Sequence, residues 1–287
     1  MYFHNLFNFT ENNKCGFGAP SGRPPEPEPV CTVTLLFQVI PSHPIVLAGN
    51  RDEFLARGST PPRVWAFPGD RGPVRILAGR DEEGGGTWFG INQHGVVAGL
   101  TNRYTGTRDP RKLSRGMLVL RCLSRDHAAD APEGVTTAES RQYNPFNLFC
   151  LTVASGFAAT NFPAPRAFPL AAGGVYVFTN RQVGDPGDPK SGWIRKSLEG
   201  LPLTLESSQA CLLKLLRAHP EEGLAEPLCV HLAGYGTVSS YFLAIGRSVG
   251  ESRFLSSSGP PCTTPYQDLS EEFVEFLLPK TGPHRRG

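Results

Sequence analysis

The chain has 287 residues, 39% of them hydrophobic and 19% charged, with a formal net charge of +2. That is ordinary for a globular protein with a sizeable core, and the balanced charge without a Lys/Arg-rich stripe excludes a dedicated nucleic-acid binder. No apolar run approaches the roughly 20 residues of a membrane-spanning helix. The seven cysteines are scattered, with no CxxC pair and no Cys/His metal spacing. Such usage suits a reducing compartment better than a disulfide framework, so a cytoplasmic location is expected and no metal or other cofactor is assigned.

In chain order, residues 1–30 stand apart. They are rich in Asn and Phe, then in Pro, Gly and Glu, without apolar periodicity, and are expected to form a disordered leader or to lie outside the mature protein. No basic segment precedes a continuous apolar core, so they are not a signal peptide. Two apolar runs follow, Cys31–Ile40 and Pro44–Gly49, joined across Pro41-Ser42-His43-Pro44. Their Val, Ile, Leu and Phe suit a buried hairpin. The second run stops at four polar residues, Asn50-Arg51-Asp52-Glu53, and the hairpin folds them back beside Cys31.

Ala56–Asp70 is expected to be a loop, and Val74–Ala78 a short strand. The glycine run Gly84-Gly85-Gly86 lacks the Lys and helix of a phosphate loop. It is expected to let the backbone approach another segment closely. Thr87–Asn92 and Gly95–Asn102 form a second hairpin, with His94 at its surface turn. Helices are expected over Leu113–Ser124, Ser191–Leu201 and Ser207–His219, the last capped by Ser207. Asp126–Gln142 is mixed loop and helix, and Ser155–Gly173 an irregular connection. Further strands are expected over Phe146–Val153, Gly174–Asn180, Leu228–Leu232, Thr237–Ile245, Arg253–Ser257 and Phe273–Leu278. One domain is thus expected over 31–279, with a loose basic tail at 280–287. The hairpin-rich order is that of an α+β fold, with sheets packed face to face and helices outside. Asn50, Asn102 and Asn180 each end an apolar strand, and strand ends converging on one rim are where a site forms. There is no HExxH, GxSxG or GxxxxGK[ST] motif.

The segments LAGNRDEF and GGTWFGINQHGVVAGLTNR, with Cys31 heading the first strand, resemble the NRDE family, the transport and Golgi organisation 2-like proteins. The likeness runs from Cys31 to about Leu278. It implies kinship with the N-terminal nucleophile (Ntn) hydrolases and hence a four-layer αββα sandwich. A more distant resemblance is to the cysteine Ntn amidases, the bile salt hydrolase and penicillin V acylase group. It implies Cys31 as nucleophile, Asn102 as an amide near it and Asn180 as oxyanion donor. Arg51 or Asp52 would supply the charge pair beside the thiol, or Glu53 if the acid is aligned without a gap. Asn50, Glu53, Thr87, Trp88 and Thr237 would contact substrate. Relatives carry Arg after Gly-Thr where this chain has Val238, which removes that cation from the site.

The same resemblance places Cys directly after the initiator Met. Val30 stands where that Met would be, as an internal reading of a GTG start codon would leave it; self-cleavage at Val30–Cys31 is the alternative. The chemistry implied is hydrolysis of an amide (C–N) bond in a small acylated metabolite through a thioester. The free α-amine of Cys31 would serve as general base, so no His is needed. The rival expectation is non-catalytic binding or trafficking of haem or a lipid-like hydrophobic ligand, a role suggested for the family, with mitochondrial or Golgi association in a eukaryote. A clear Met/His axial pair for haem is missing. Oligomeric state and substrate identity are not legible.

Overall fold

The computed structural model describes residues 31–106, 108–128, 135, 137–220 and 226–278. The expected leader at 1–30 and tail at 280–287 fall outside these residues. Two antiparallel seven-stranded sheets form the centre. The first contains β1 (Thr32–Ile40), β2 (His43–Phe54), β10 (Gly174–Phe178), β11 (His231–Leu232), β12 (Tyr235–Ile245), β13 (Arg253–Ser257) and β14 (Gln267–Asp268). Its order is β10-β1-β2-β12-β13-β14, with β11 also on β12. The second sheet is a meander in chain order: β3 (Ser59–Gly69), β4 (Gly72–Asp81), β5 (Phe89–Asn92), β6 (Val97–Asn102), β7 (Phe146–Leu151), β8 (Gly156–Thr160) and β9 (Arg166–Pro169).

Alternation along the strands separates three apolar layers. Leu35, Leu47, Phe89, Phe149 and Phe178 lie buried between the sheets. Leu36, Val46, Ala48 and Phe242 face the other way, onto Ile194 of α2 (Pro189–Leu198) and Leu212 and Leu216 of α3 (Leu205–Leu216). On the far side, Ile76, Ala98 and Leu148 pack on Leu118 and Leu123 of α1 (Gly116–Leu123). Each fully buried side chain of this size contributes roughly 1.5–3 kcal/mol. The expected αββα sandwich is therefore the observed one. No helix among the described residues is long and apolar enough to cross a membrane.

Several elements differ from expectation. β2 does not stop at Gly49 but runs through Asn50–Phe54, because β12 pairs with it along that whole length. Ala56–Asp70 contains the edge strand β3, whose Pro61, Pro62 and Pro68 are tolerated because one side of an edge strand makes no ladder bonds. Ser155–Gly173 contains β8 and β9, the last strands of the meander. The expected strand Phe273–Leu278 is instead the end of a helix, α4 (Ser270–Leu277), capped by Leu278, with Glu271 and Glu272 in its first turn and Phe273 and Phe276 buried. Thr204, not Ser207, caps α3: its hydroxyl accepts from the Ser207 amide at 3.2 Å. Of Leu228–Leu232 only His231–Leu232 forms a strand. The glycine run does serve close approach. A side chain on Gly86 would collide with the backbone of Gly116 at the start of α1, and one on Gly116 with Thr87.

Candidate active site

β1 is flanked by β10 on one side and β2 on the other. In the ladder Val33 pairs with Phe178, and Thr32 with Asn50. Cys31 directly precedes β1, one residue beyond the Thr32–Asn50 pair, and Asn180 lies two residues past the end of β10, beyond the last ladder pair on that side. Cys31 is 9% exposed, and its thiol lies 3.8 Å from the Asp52 carbonyl oxygen. It opens into a cleft of about 350 Å³ between the two sheets. Arg51, Glu53, Thr87, Trp88 and Asn102 line the same cleft.

Strand alternation divides the Asn-Arg-Asp-Glu segment. Arg51 and Glu53 face the cleft. The Arg51 guanidinium lies 4.2 Å over the Trp88 ring, and its Nη2 donates to Glu53 Oε2 at 3.4 Å. Arg57 extends the network to Glu53, at 3.6 Å, and to Asp81, at 2.6 Å. Asn50 and Asp52 face the other way. Asn50 Nδ2 donates to the carbonyls of Leu216 (2.9 Å) and Leu228 (2.8 Å), tying β2 to the end of α3. Asp52 Oδ1 accepts from the Thr237 hydroxyl at 2.5 Å, and its Oδ2 is buried without a partner. Asn50 and Thr237, expected to contact substrate, therefore sit behind the cleft wall. Thr87 lines the cleft, yet its hydroxyl is engaged by the Phe89 carbonyl at 2.9 Å. Asn180 is not among the cleft-lining residues; its Oδ1 is buried without a partner.

Lys190 escaped the sequence reading. It sits in the first turn of α2, 2% exposed, behind the Asp188 cap and Pro189. Burial lowers its pKa, against the pull of the Asp52, Glu226, Asp188 and Cys31 charges. The helix was expected to begin at Ser191 and begins at Pro189 instead, behind the Asp188 cap, and nothing local in the sequence says that the Lys190 side chain turns inward.

Burial, then the Asp52 carboxylate, push the Cys31 thiol up to about 12, outweighing the Arg51 charge. With its nitrogen in the peptide bond to Val30, Cys31 is a neutral thiol at physiological pH. Burial also pushes the Asp52 carboxyl up to about 7, against the Thr237 hydroxyl and the Lys190 and Arg51 charges. Between its ordinary value of 3.8 and about 7, the folded chain keeps a proton that the unfolded chain has lost. Stability from this group therefore falls as pH rises through that window. Asp52→Asn keeps an acceptor for Thr237 and removes the ionisation. Melting temperatures of the variant should fall less across that window than those of the parent; superimposable profiles would show that Asp52 ionises normally.

Val238 lies at a bulge in β12, where the register against Arg51 and Asp52 shifts. Instead of a cation it supplies an apolar wall. With Pro62, Trp88, Tyr241 and Phe254 it lines a second, smaller cavity of about 90 Å³. Trp88 borders both cavities.

The Transport and Golgi organisation 2 family model matches residues 30–255. The human Transport and Golgi organization protein 2 homolog is 38% identical over 117 residues, 39% of this chain and 41% of that protein. The match thus spans about two fifths of that relative's length. Among solved structures, penicillin V acylase from Agrobacterium tumefaciens aligns over 85% of this chain and 88% of its own, with a TM-score of 0.42 and 11% identity. A mutant conjugated bile acid hydrolase from Clostridium perfringens aligns over 85% and 94%, with a TM-score of 0.43 and 9% identity. On the family match, which covers most of its length, this chain belongs to the Transport and Golgi organisation 2 family.

Proposed function

We propose that the protein is a cysteine amidohydrolase of the N-terminal nucleophile type, acting on a small acylated metabolite. The observation that supports this is the position of Cys31: just before a central strand, with its thiol beside Asp52, and lining a cleft together with Arg51 and Asn102. Arg and Lys side chains outnumber carboxylates around that cleft, six to four. A substrate bearing an anionic group suits it better than an apolar ligand does. The cavity beyond Trp88, lined by Val238, Tyr241 and Phe254 together with several Ser hydroxyls, would take a short acyl chain.

The reaction needs Cys31 as the first residue. Its α-amine, with an ordinary pKa of about 8, then takes the thiol proton. The thiolate attacks the amide carbonyl, forming a C–S bond and an oxyanion that accepts from the Asn180 side-chain amide once that side chain turns into the cleft. Collapse breaks the C–N bond, and the leaving amine takes the proton from the α-ammonium. Water, deprotonated by the same amine, then cleaves the thioester to release the acid and restore the thiol. Arg51 favours the thiolate. Asp52, with an unpartnered oxygen, holds the ammonium.

Alkylation tests the nucleophile. In protein beginning at Cys31, limiting iodoacetamide near neutral pH should label Cys31 ahead of Cys211, with buried Cys122 and Cys150 as spectators. In the full chain Cys31 should be slow, because its thiol is held at about 12. A Cys31 that stays slow once its amine is free would sink the assignment.

A further inference from the structure

On the helix-covered side of the first sheet, the fold gathers four ligand-type residues from three segments. His219 follows α3. Cys229 and His231 bracket Val230 at the entry to β11. Cys262 lies in the connection from β13 to β14. Their ligand atoms all lie within 4.8 Å of one another. Cys229 Sγ is 3.4 Å from Cys262 Sγ and 3.6 Å from His231 Nε2, and His231 Nε2 is 3.1 Å from Cys262 Sγ. The His219 and His231 ring centres are 5.2 Å apart.

We propose that His219, Cys229, His231 and Cys262 bind one zinc ion in a closed, structural site. A tetrahedron with Zn–S of about 2.3 Å and Zn–N of about 2.0–2.1 Å has edges of roughly 3.3–3.8 Å. Of the three distances, 3.4 and 3.6 Å fall within that range and 3.1 Å just below it. Two thiolates neutralise the dication, and two thiolates with two imidazoles are a donor set that selects zinc over hard cations. Four protein ligands fill the tetrahedron and leave no position for a reacting water. Cys229 is buried, Cys262 and His219 are half-buried and His231 is exposed, which gives an ion a route in from solvent.

The scaffold under these residues is already built. The amides of Leu228 and Cys229 donate to the Ala218 carbonyl at 3.2 and 3.1 Å, beside His219. Arg217 Nε donates to the Pro261 carbonyl at 3.1 Å, beside Cys262. The ligand set also abuts the candidate active site. Val230, between Cys229 and His231, donates from its amide to the Thr237 hydroxyl at 2.9 Å, and that hydroxyl holds Asp52. A metal clamp here fixes the wall behind Asp52.

The test uses the full chain, purified under reductant, stripped with a chelator and titrated with Co²⁺ alone. One ion per chain should bind, with the intense visible bands of tetrahedral cobalt and a near-ultraviolet thiolate charge-transfer band, both erased by added Zn²⁺. Cys262→Ser and the exposed-site variant His231→Asn should each weaken Co²⁺ binding by about tenfold or more. Cys211→Ser should leave it unchanged. Zn²⁺ should raise the melting temperature of the parent more than that of His231→Asn, a comparison that holds even if Cys262→Ser fails to fold. Three results would overturn the site: no saturable cobalt spectrum in the reduced chain; a spectrum that survives in His231→Asn at unchanged affinity; or isolation of the chain without metal and with Cys229 disulfide-bonded to Cys262.

Discussion

Protein that begins at Cys31 should hydrolyse acyl amides, and the same chain with one uncleavable residue before Cys31 should not. The expected difference is large because a single group changes character. An amide nitrogen has no available lone pair near neutral pH, whereas a free α-amine has one and is partly unprotonated there. In the peptide-bonded form, with its thiol pushed up to about 12 by burial and Asp52, Cys31 is almost wholly un-ionised at pH 7. A positioned general base contributes about 10²–10⁴-fold, so loss of the amine alone should reduce turnover by that much. Starting the chain at Met-Cys31, whose Met is normally trimmed before a small residue, makes the active form. Both N-termini are confirmed by intact mass before assay against a panel of acyl amides. Equal turnover by the free and blocked forms would rule out the amine as base. Binding of a hydrophobic ligand such as haem by both forms, with hydrolysis by neither, would instead support a trafficking role.

Asn180→Ala should lower turnover of the Cys31-first form by about 10²–10³-fold while leaving the melting temperature nearly unchanged. Losing one oxyanion donor typically costs about 2.7–4 kcal/mol in the transition state, because a preorganised dipole in a water-poor site is not replaced. Asn180 follows β10, two residues beyond the Val33–Phe178 pair that ends its ladder with β1. Its side-chain oxygen has no partner to lose, and its backbone carbonyl still accepts from the Tyr104 amide at 2.9 Å after truncation. Asn102→Ala makes the comparison, since Asn102 reaches the cleft from the opposite sheet. A larger loss in Asn102→Ala would move the oxyanion donor to β6. A lowered melting temperature at unchanged specific activity in Asn180→Ala would reduce Asn180 to a packing residue.

Local pattern was enough to determine the paired strands and the α+β class, whereas of the three Asn residues expected on one rim only Asn102 lines the cleft. β1 and β2 carry runs of Val, Ile, Leu and Phe around a Pro-bounded turn, so the hairpin was legible from residues adjacent in the chain. From it followed the meeting of Cys31 with Arg51 and Asp52. The purpose of the glycine run was legible too, because only a missing side chain permits the contact of Gly86 with Gly116. Where the reading failed, the partners come from far away. Asn50–Glu53 looks like a strand end because four polar residues are costly in a buried strand unless bonded. Asn50 is bonded by carbonyls 166 and 178 positions on, and Asp52 by a hydroxyl 185 positions on. The Phe-Val-Glu-Phe run of α4 suits a strand by composition. The sandwich decides otherwise, by burying Phe273 and Phe276 one helical turn apart. Lys190 is buried at the start of α2, where the charges of Asp52, Glu226 and Asp188, brought near it by the packing, oppose the effect of burial on its pKa. The four zinc-type ligands obey no spacing rule, since His219 and Cys262 are brought together by α3, β11 and the β13–β14 connection. Periodicity and turn chemistry act over a few residues and are written in the chain. Burial of charge and convergence of ligands depend on which surfaces face one another, and only the packing of the two sheets and their helices decided that.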